Sequence, residues 1–121
     1  TFLRKFEEII PYYQCLDLYI VASRDEGGPN SILESMATGV PVVTSRIGIA
    51  PQAIKQGENG FIVDVGDSQG LADYASTLVR DSSLRSQFAE AGLLTAPSYD
   101  WSVIAKRYSE EVFFPLMQEN A

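Results

Sequence analysis

Apolar residues along the chain change their spacing several times, and each change marks an element. Residues 1–13 place Phe2, Leu3, Phe6, Ile9 and Ile10 at helical intervals with Arg4, Lys5, Glu7 and Glu8 between them, until Pro11 interrupts. This predicts a short amphipathic helix. Residues 16–22 (LDLYIVA) are nearly continuous apolar, β-branched or aromatic and break into Ser23-Arg24-Asp25-Glu26-Gly27-Gly28, the pattern of a strand buried on both faces. Residues 29–38 return to helical spacing, with Ile32, Leu33, Met36 and Ala37 on one side, Pro29 in the first turn and Gly39 past the last. Residues 41–45 (PVVTS) read as a second buried strand, 51–55 as a turn of helix and 60–65 (GFIVDV) as a third strand.

The remainder is helical. Residues 68–80 carry Leu71, Tyr74, Ala75, Leu78 and Val79 on one face, and residues 82 to about 94 carry Leu84, Phe88, Ala91 and Gly92. A last helix, 101 to about 118, presents Trp101, Ile104, Ala105, Tyr108 and Val112. Asp67 or Ser68, Ser82 and Asp100 are candidate N-caps, and residues 92–100, with Pro97, form the expected link between the last two helices. No internal repeat or low-complexity tract interrupts the series. The order is βαβαβ followed by helices, which predicts an α/β fold: a parallel-sheet, Rossmann-like half domain of the doubly wound type.

Composition narrows the chemistry. The 121 residues fit one domain or part of one. Thr1 stands at the start with a helical pattern already under way, so a piece of a longer chain is expected. Nine Lys or Arg against sixteen Asp or Glu give a net charge of −7, which opposes nucleic-acid binding, because that affinity comes mainly from cationic neutralisation of phosphates. With no histidine, His-based triads, His general bases and ordinary zinc sites are excluded, and a single cysteine excludes an intrachain disulfide. Cys15, before a buried strand, reads as a small core hydrophobe. The longest apolar runs, 18–22 and 40–43, are far short of the ~18 to 20 residues of a membrane span, so a cytoplasmic setting is expected. Local chemistry must come from carboxylates and backbone groups.

The densest signal is Glu26-Gly27-Gly28-Pro29-Asn30-Ser31-Ile32-Leu33-Glu34, directly after a predicted parallel strand and opening a helix. Open α/β sheets bind ligands at the carboxyl ends of their strands, where free amides and the positive end of the next helix attract anions. Pro29 lacks an N–H, but at a first helical position that donor has no intrahelical partner anyway, and the amides of Asn30 and Ser31 stay free for a phosphate. Gly27 and Gly28 allow close backbone approach. Carboxylates repel phosphate and accept hydrogen bonds from hydroxyls, so Glu26 and Glu34 on either side of an anion site suit a phosphate between two polyhydroxyl groups, the layout of a sugar nucleotide. The residues alone leave a blander reading equally open: Glu26 solvates or caps a loop, and Glu34 is an exposed helix residue.

The run from Ser23 to Val43, containing Glu26-Gly27-Gly28-Pro29-Asn30-Ser31-Ile32-Leu33-Glu34 and Gly39-Val40-Pro41-Val42-Val43, closely resembles the Glu-x7-Glu signature of retaining glycosyltransferases of GT-B fold, family 4, also termed group 1. Gly57-Glu58-Asn59-Gly60-Phe61, Leu71-Ala72 and Tyr99-Asp100-Trp101 extend the likeness over nearly the whole chain. The resemblance implies that Glu26 contacts the donor sugar, as the catalytic-site glutamate, and that Glu34 binds the ribose hydroxyls. It implies that Gly27, Gly28, Asn30 and Ser31 hold the sugar and diphosphate through their amides. Gly28-Pro29 departs from the common Glu-x-Phe-Gly version and removes one amide donor at Pro29. No metal or other cofactor is implied, since the nucleoside diphosphate sugar is a substrate and no Asp-x-Asp motif is present.

By the same resemblance the chain is the later half of a donor-binding domain. Its partners would be a nucleotide-sugar donor, an acceptor of unknown chemistry and an N-terminal Rossmann-like domain, with an upstream Arg and Lys neutralising the leaving diphosphate and the last helix running back towards the missing domain. Any peripheral membrane association, at the cytoplasmic face, would come through parts outside this chain. Alone, the 121 residues would be catalytically silent. The competing expectation is a nucleotide-sugar-binding or interaction module without catalysis; a receiver-like domain is disfavoured for lack of an acidic cluster with Lys at strand ends. Trp101, Tyr108, Phe113 and Phe114 read as packing, with Phe113, Phe114, Leu116 and Met117 as an alternative exposed interface. Arg24 reads as the partner of Asp25 or Glu26 or as a phosphate neutraliser, and Asp17 and Asp64 as strand-edge residues without a defined role. An apolar sheet edge, with association or poor solubility, is expected of the isolated chain.

Overall fold

The computed structural model describes residues 5–28 and 30–119. The predicted contributions of Phe2 and Leu3 to the first helix and of Pro29 to the start of the second lie outside these residues. Three parallel strands, β1 (Tyr19–Val21), β2 (Val42–Ser45) and β3 (Phe61–Val63), lie in sequential order. Tyr19 pairs with Val42 and Val21 with Thr44, while Val43 pairs with Phe61 and Ser45 with Val63. α2 (Asn30–Ala37) crosses from β1 to β2, and the short α3 (Ala50–Ala53) crosses from β2 to β3. Two crossovers of one hand stepping in one direction stay on one face of the sheet. Accordingly Ile32 and Met36 of α2 and Ala50 of α3 share a core with Val21, Val42 and Ile62. The opposite face is covered by α4 (Ser68–Arg80) and α5 (Ser82–Thr95), whose Leu78 and Phe88 pack on Val43 and Phe61. Helices on both faces of a parallel sheet make the doubly wound half domain that the pattern predicts.

β2 lies in the middle, and its four residues are all buried, as a central parallel strand requires. β1 differs from its prediction. It is three residues long, pairs only with β2 among the described residues, and leaves Ile20 45% exposed. Cys15 is exposed rather than in the core, because α1 (Ile10–Gln14) closes on it: its N–H donates to the Tyr12 carbonyl and that of Leu16 to Tyr13, which holds both outside the strand. Pro11 does not interrupt this region. It sits in the first turn of α1, where a missing N–H costs nothing.

The helix ends explain the sheet's connections. α2 closes with Gly39 at φ 74°, its N–H donating to Met36 and that of Val40 to Ser35, the paired bonds of a Schellman stop. Asp67 caps α4 through the Gly70 amide. Asp81, not Ser82, caps α5, because the extended Asp81 places its carboxylate on the Leu84 amide and Ser82 becomes the first helical residue. α5 reaches Thr95 and passes into a 3-10 turn, Ala96–Tyr99, so the expected link is itself helical, with Pro97 in that turn's first positions. Val79, read as core-facing, is 64% exposed and only Leu78 of α4 is fully buried. α5 packs closely on α2 at Gly92, where a Cβ would lie 3.4 Å from Met36 Cα. Asn59, in the turn before β3, is buried with its amide satisfied: it accepts from the Lys55 N–H and donates to Ala53 and Thr95.

The chain ends in α6 (Trp101–Tyr108), a π-helical turn (Ser109–Phe113) and α7 (Phe114–Glu119). The stripe read as packing does not pack: Trp101 is 79% exposed, and Tyr108, Phe113 and Phe114 are also exposed, while Ile104 alone is half-buried.

Candidate functional site

The loop of residues 22–28 leaves the carboxyl end of β1 and is tied to its neighbour strand. Ser45 Oγ, at the end of β2, donates to the Ser23 carbonyl at 2.6 Å, and Ser23 Oγ donates in turn to the Glu26 carboxylate. Glu26 is exposed, and this relay holds it at the rim of the sheet. α2 opens at Asn30, and the first amides of a helix have no intrahelical partner. Glu34 follows just over one turn later. It is half-buried, and its Oε2 accepts a 3.0 Å hydrogen bond from the hydroxyl of Tyr13, at the end of α1. Burial, and then that bond to a carboxylate, push the Tyr13 phenol far above its ordinary pKa, so it stays protonated and donating at neutral pH.

A cleft of about 710 Å³ gathers Gly27, Gly28, Asn30 and Glu34 on one wall, with Leu33 and Ala37 of α2. Gly48, Ile49 and Gln52 form a second wall, and Tyr99, Trp101 and Ile104 a third. Glu34 carries the only formal charge among these residues. Glu26 and Ser31 stand outside the lining: Glu26 lies one step back along the loop, and the Ser31 carbonyl lies 3.5 Å from the Tyr13 hydroxyl. Trp101 is a cleft wall, which explains an exposure that packing would not allow. The Tyr99 hydroxyl donates to the Gln52 carbonyl at 2.9 Å and fixes the third wall to the second.

Tyr13, Ser23, Ser45, Ile49 and Gln52 had no functional reading in the sequence. The seryl relay had a signal, since the hydroxyl residues at the carboxyl ends of β1 and β2 are those that strand ends direct towards a site. Tyr13 had none, because its partner is 21 positions away. Arg24 is exposed and makes no ion pair among the described residues, so its expected pairing with Asp25 or Glu26 does not form. Asp64 gains a partner instead: Arg46 Nε lies 3.2 Å from its Oδ1, across the carboxyl ends of β2 and β3. Among the described residues no three His, Cys, Asp or Glu side chains gather closely enough to hold a metal ion. No helix of the described residues is long and apolar enough to cross a membrane.

Sheet order and covered faces define an α/β lobe with a cleft lined by Gly27, Gly28, Asn30 and the carboxylate-bearing Glu34. Residues 1–81 match the family model described as glycosyl transferases group 1, and the chain belongs to that family. It is 40% identical over 82 residues to the lipopolysaccharide core biosynthesis glycosyltransferase LpsE of Rhizobium meliloti strain 1021, covering 68% of this chain and 24% of that one. The chain thus spans about a quarter of that relative's length. Among solved structures, it superposes on the C-terminal domain of the group 1 glycosyl transferase LpcC from Francisella tularensis with a TM-score of 0.74 and 34% identity, over 81% of this chain and 50% of that one. Anabaena HepE in complex with UDP-glucose gives a TM-score of 0.71 and 28% identity, over 90% of this chain and 30% of that one. The fold is that of the C-terminal domain of a GT-B glycosyltransferase.

Proposed function

We propose that this chain is the donor-binding part of an enzyme that transfers a sugar from a nucleoside diphosphate sugar to an acceptor, with retention at the anomeric carbon. Glu34 accepts hydrogen bonds from the ribose hydroxyls, Glu26 meets the hydroxyls of the donor sugar, and the amides around Gly27, Gly28, Asn30 and Ser31 receive the diphosphate. The observation that carries this reading is Glu34. Its carboxylate shares one cleft with Gly27, Gly28 and Asn30, and among the described residues only Tyr13 donates to it, through Oε2. A carboxylate offers roughly four acceptor sites on its two oxygens, so capacity for a vicinal diol remains.

As the bond to the departing diphosphate breaks, negative charge grows on the phosphate oxygens. Amides fixed at the start of α2 stabilise that charge without reorganising. The net charge of −7 does not oppose this, because one diphosphate responds to the local field of a helix end rather than to the total. The acceptor and the upstream cations belong to the remainder of the enzyme. Because HepE holds UDP-glucose, UDP-glucose is the first donor to test. In the full-length protein, Glu34→Ala is expected to weaken UDP-glucose binding about tenfold or more in calorimetry, the loss of hydrogen bonds to a charged group. An unchanged affinity would overturn the assignment.

A further inference from the structure

Glu34 lines two depressions: the main cleft, and a smaller groove of about 400 Å³ formed with Ile9, Ile10, Tyr13, Gln14, Thr38 and Leu93. A glutamate side chain has three torsions, and an unrestrained Glu34 has open space on both sides. Tyr13 removes that freedom. Its ring is 5% exposed and packs edge-on against Tyr19 of β1, with centroids 5.4 Å apart and planes at 70°. Its single hydroxyl proton goes to Glu34 Oε2 at 3.0 Å; the Ser31 carbonyl, at 3.5 Å, is too distant to compete. The donor is buried, fixed by its ring contact and protonated at neutral pH, and it occupies one oxygen of the carboxylate while no described residue donates to the other.

We infer that Tyr13 is a positioning residue, holding the Glu34 carboxylate by Oε2 so that Oε1 meets a ribose hydroxyl of the nucleoside diphosphate. The inference rests on the proposed ribose contact and adds to it the group that orients it. Preorganising a side chain before binding lowers the ordering cost at the moment the ligand arrives. Tyr13 therefore acts on affinity for ligands that carry the ribose hydroxyls and is indifferent to ligands that lack them.

The test compares Tyr13→Phe, Glu34→Ala and the double variant in the full-length protein, using calorimetry with UDP and with its 2′,3′-dideoxy analogue. Phe keeps the ring and its contact with Tyr19, and a thermal midpoint checks folding. Tyr13→Phe is expected to weaken UDP about fivefold, the scale of one net hydrogen bond, while leaving the dideoxy analogue's affinity unchanged. In the Glu34→Ala background it is expected to add nothing, and in turnover it raises the donor KM with kcat within about twofold. Equal weakening of both ligands, or the same loss without Glu34, would make Tyr13 a merely structural residue and overturn the inference. If Glu34→Ala weakens UDP and Tyr13→Phe does not, the tyrosine inference alone fails; if Glu34→Ala changes nothing, the ribose reading fails and takes the inference with it. Should Tyr13→Phe not fold, the unaltered protein still decides. The resonance of the buried, hydrogen-bonded Tyr13 hydroxyl proton should shift on adding UDP and not the dideoxy analogue, and absence of a UDP-induced shift overturns the inference.

Discussion

α2 and the carboxyl-terminal stretch α6–α7 begin from similar sequence patterns and arrive at opposite outcomes. Both carry apolar residues at helical spacing, and both border the main cleft. In α2, Ile32 and Met36 are buried against β2, α5 approaches Met36 through Gly92, and Gly39 stops the helix. In α6–α7, Trp101, Tyr108, Phe113, Phe114 and Met117 remain 55% exposed or more. Periodicity states which face of a helix favours burial; whether burial occurs depends on what else the fold places there. Glu34, the residue proposed to meet the ribose, sits on the helix whose position is fixed from three sides, as a binding group held to a fraction of an ångström would require.

The largest expected difference between the regions is in stability. Phe88 is fully buried with its ring 5.0 Å from Phe61 at 67°, so Phe88→Ala should cost about 3 to 5 kcal/mol in urea unfolding, combining lost transfer energy and a cavity. Phe114 is 55% exposed, and Phe114→Ala should change stability by less than about 0.5 kcal/mol. Comparable costs for the two would mean that the exposed stripe is covered in solution, and the contrast would collapse.

A smaller effect tests what fixes α2. At Gly92 a methyl group meets Met36 at ordinary van der Waals distance, 3.4 Å, so the further methyl groups of a branched side chain are expected to crowd it. Gly92→Val should therefore cost about 1 to 3 kcal/mol by overpacking, and Gly92→Ala much less. If α5 sets the height of α2 over the sheet, Gly92→Val should also weaken donor binding, although it touches no ligand. Lost stability with unaltered donor affinity would show that α2 is held by β2 and Gly39 alone.

Much of this was legible in the sequence. The βαβαβ order and the bounds of α4 followed from periodicity, because a strand such as β2, buried on both faces, leaves a continuous apolar run. The glutamate loop was legible because strand-end loops before helices are where such sheets bind ligands. Other features depend on separations that no local window contains. Tyr13 reaches Glu34 across 21 positions and Ser45 reaches Ser23 across 22. Cys15 and Ile20 are exposed where an apolar run favours burial, because edge position and the closing of α1 decide it. Trp101 departs from the expected packing for the same reason: a large aromatic left in water in the same cleft as Glu34 forms one of its walls.

The smallest effect concerns how a helix without a buried face holds its start. Asp67 and Asp100 cap α4 and α6 with the same chemistry, but α4 also buries Leu78, whereas α6 buries no residue. For α6 the cap is a larger fraction of what keeps the first turn. Asp100 accepts from both the hydroxyl and the backbone N–H of Ser102, and these bonds hold its carboxyl below the ordinary carboxylate pKa. With the folded pKa depressed, the capping contribution is present above the unfolded value and is lost as pH falls through the folded one. Amides in the first turn of α6 should therefore exchange faster as the solution is acidified, once the intrinsic pH dependence is removed. Asp100→Ala should reproduce that fast exchange at neutral pH while leaving the global unfolding midpoint in place. If instead Asp100→Ala lowers the global midpoint as Phe88→Ala does, α6 unfolds together with the sheet, and the division between a packed and an exposed region is wrong.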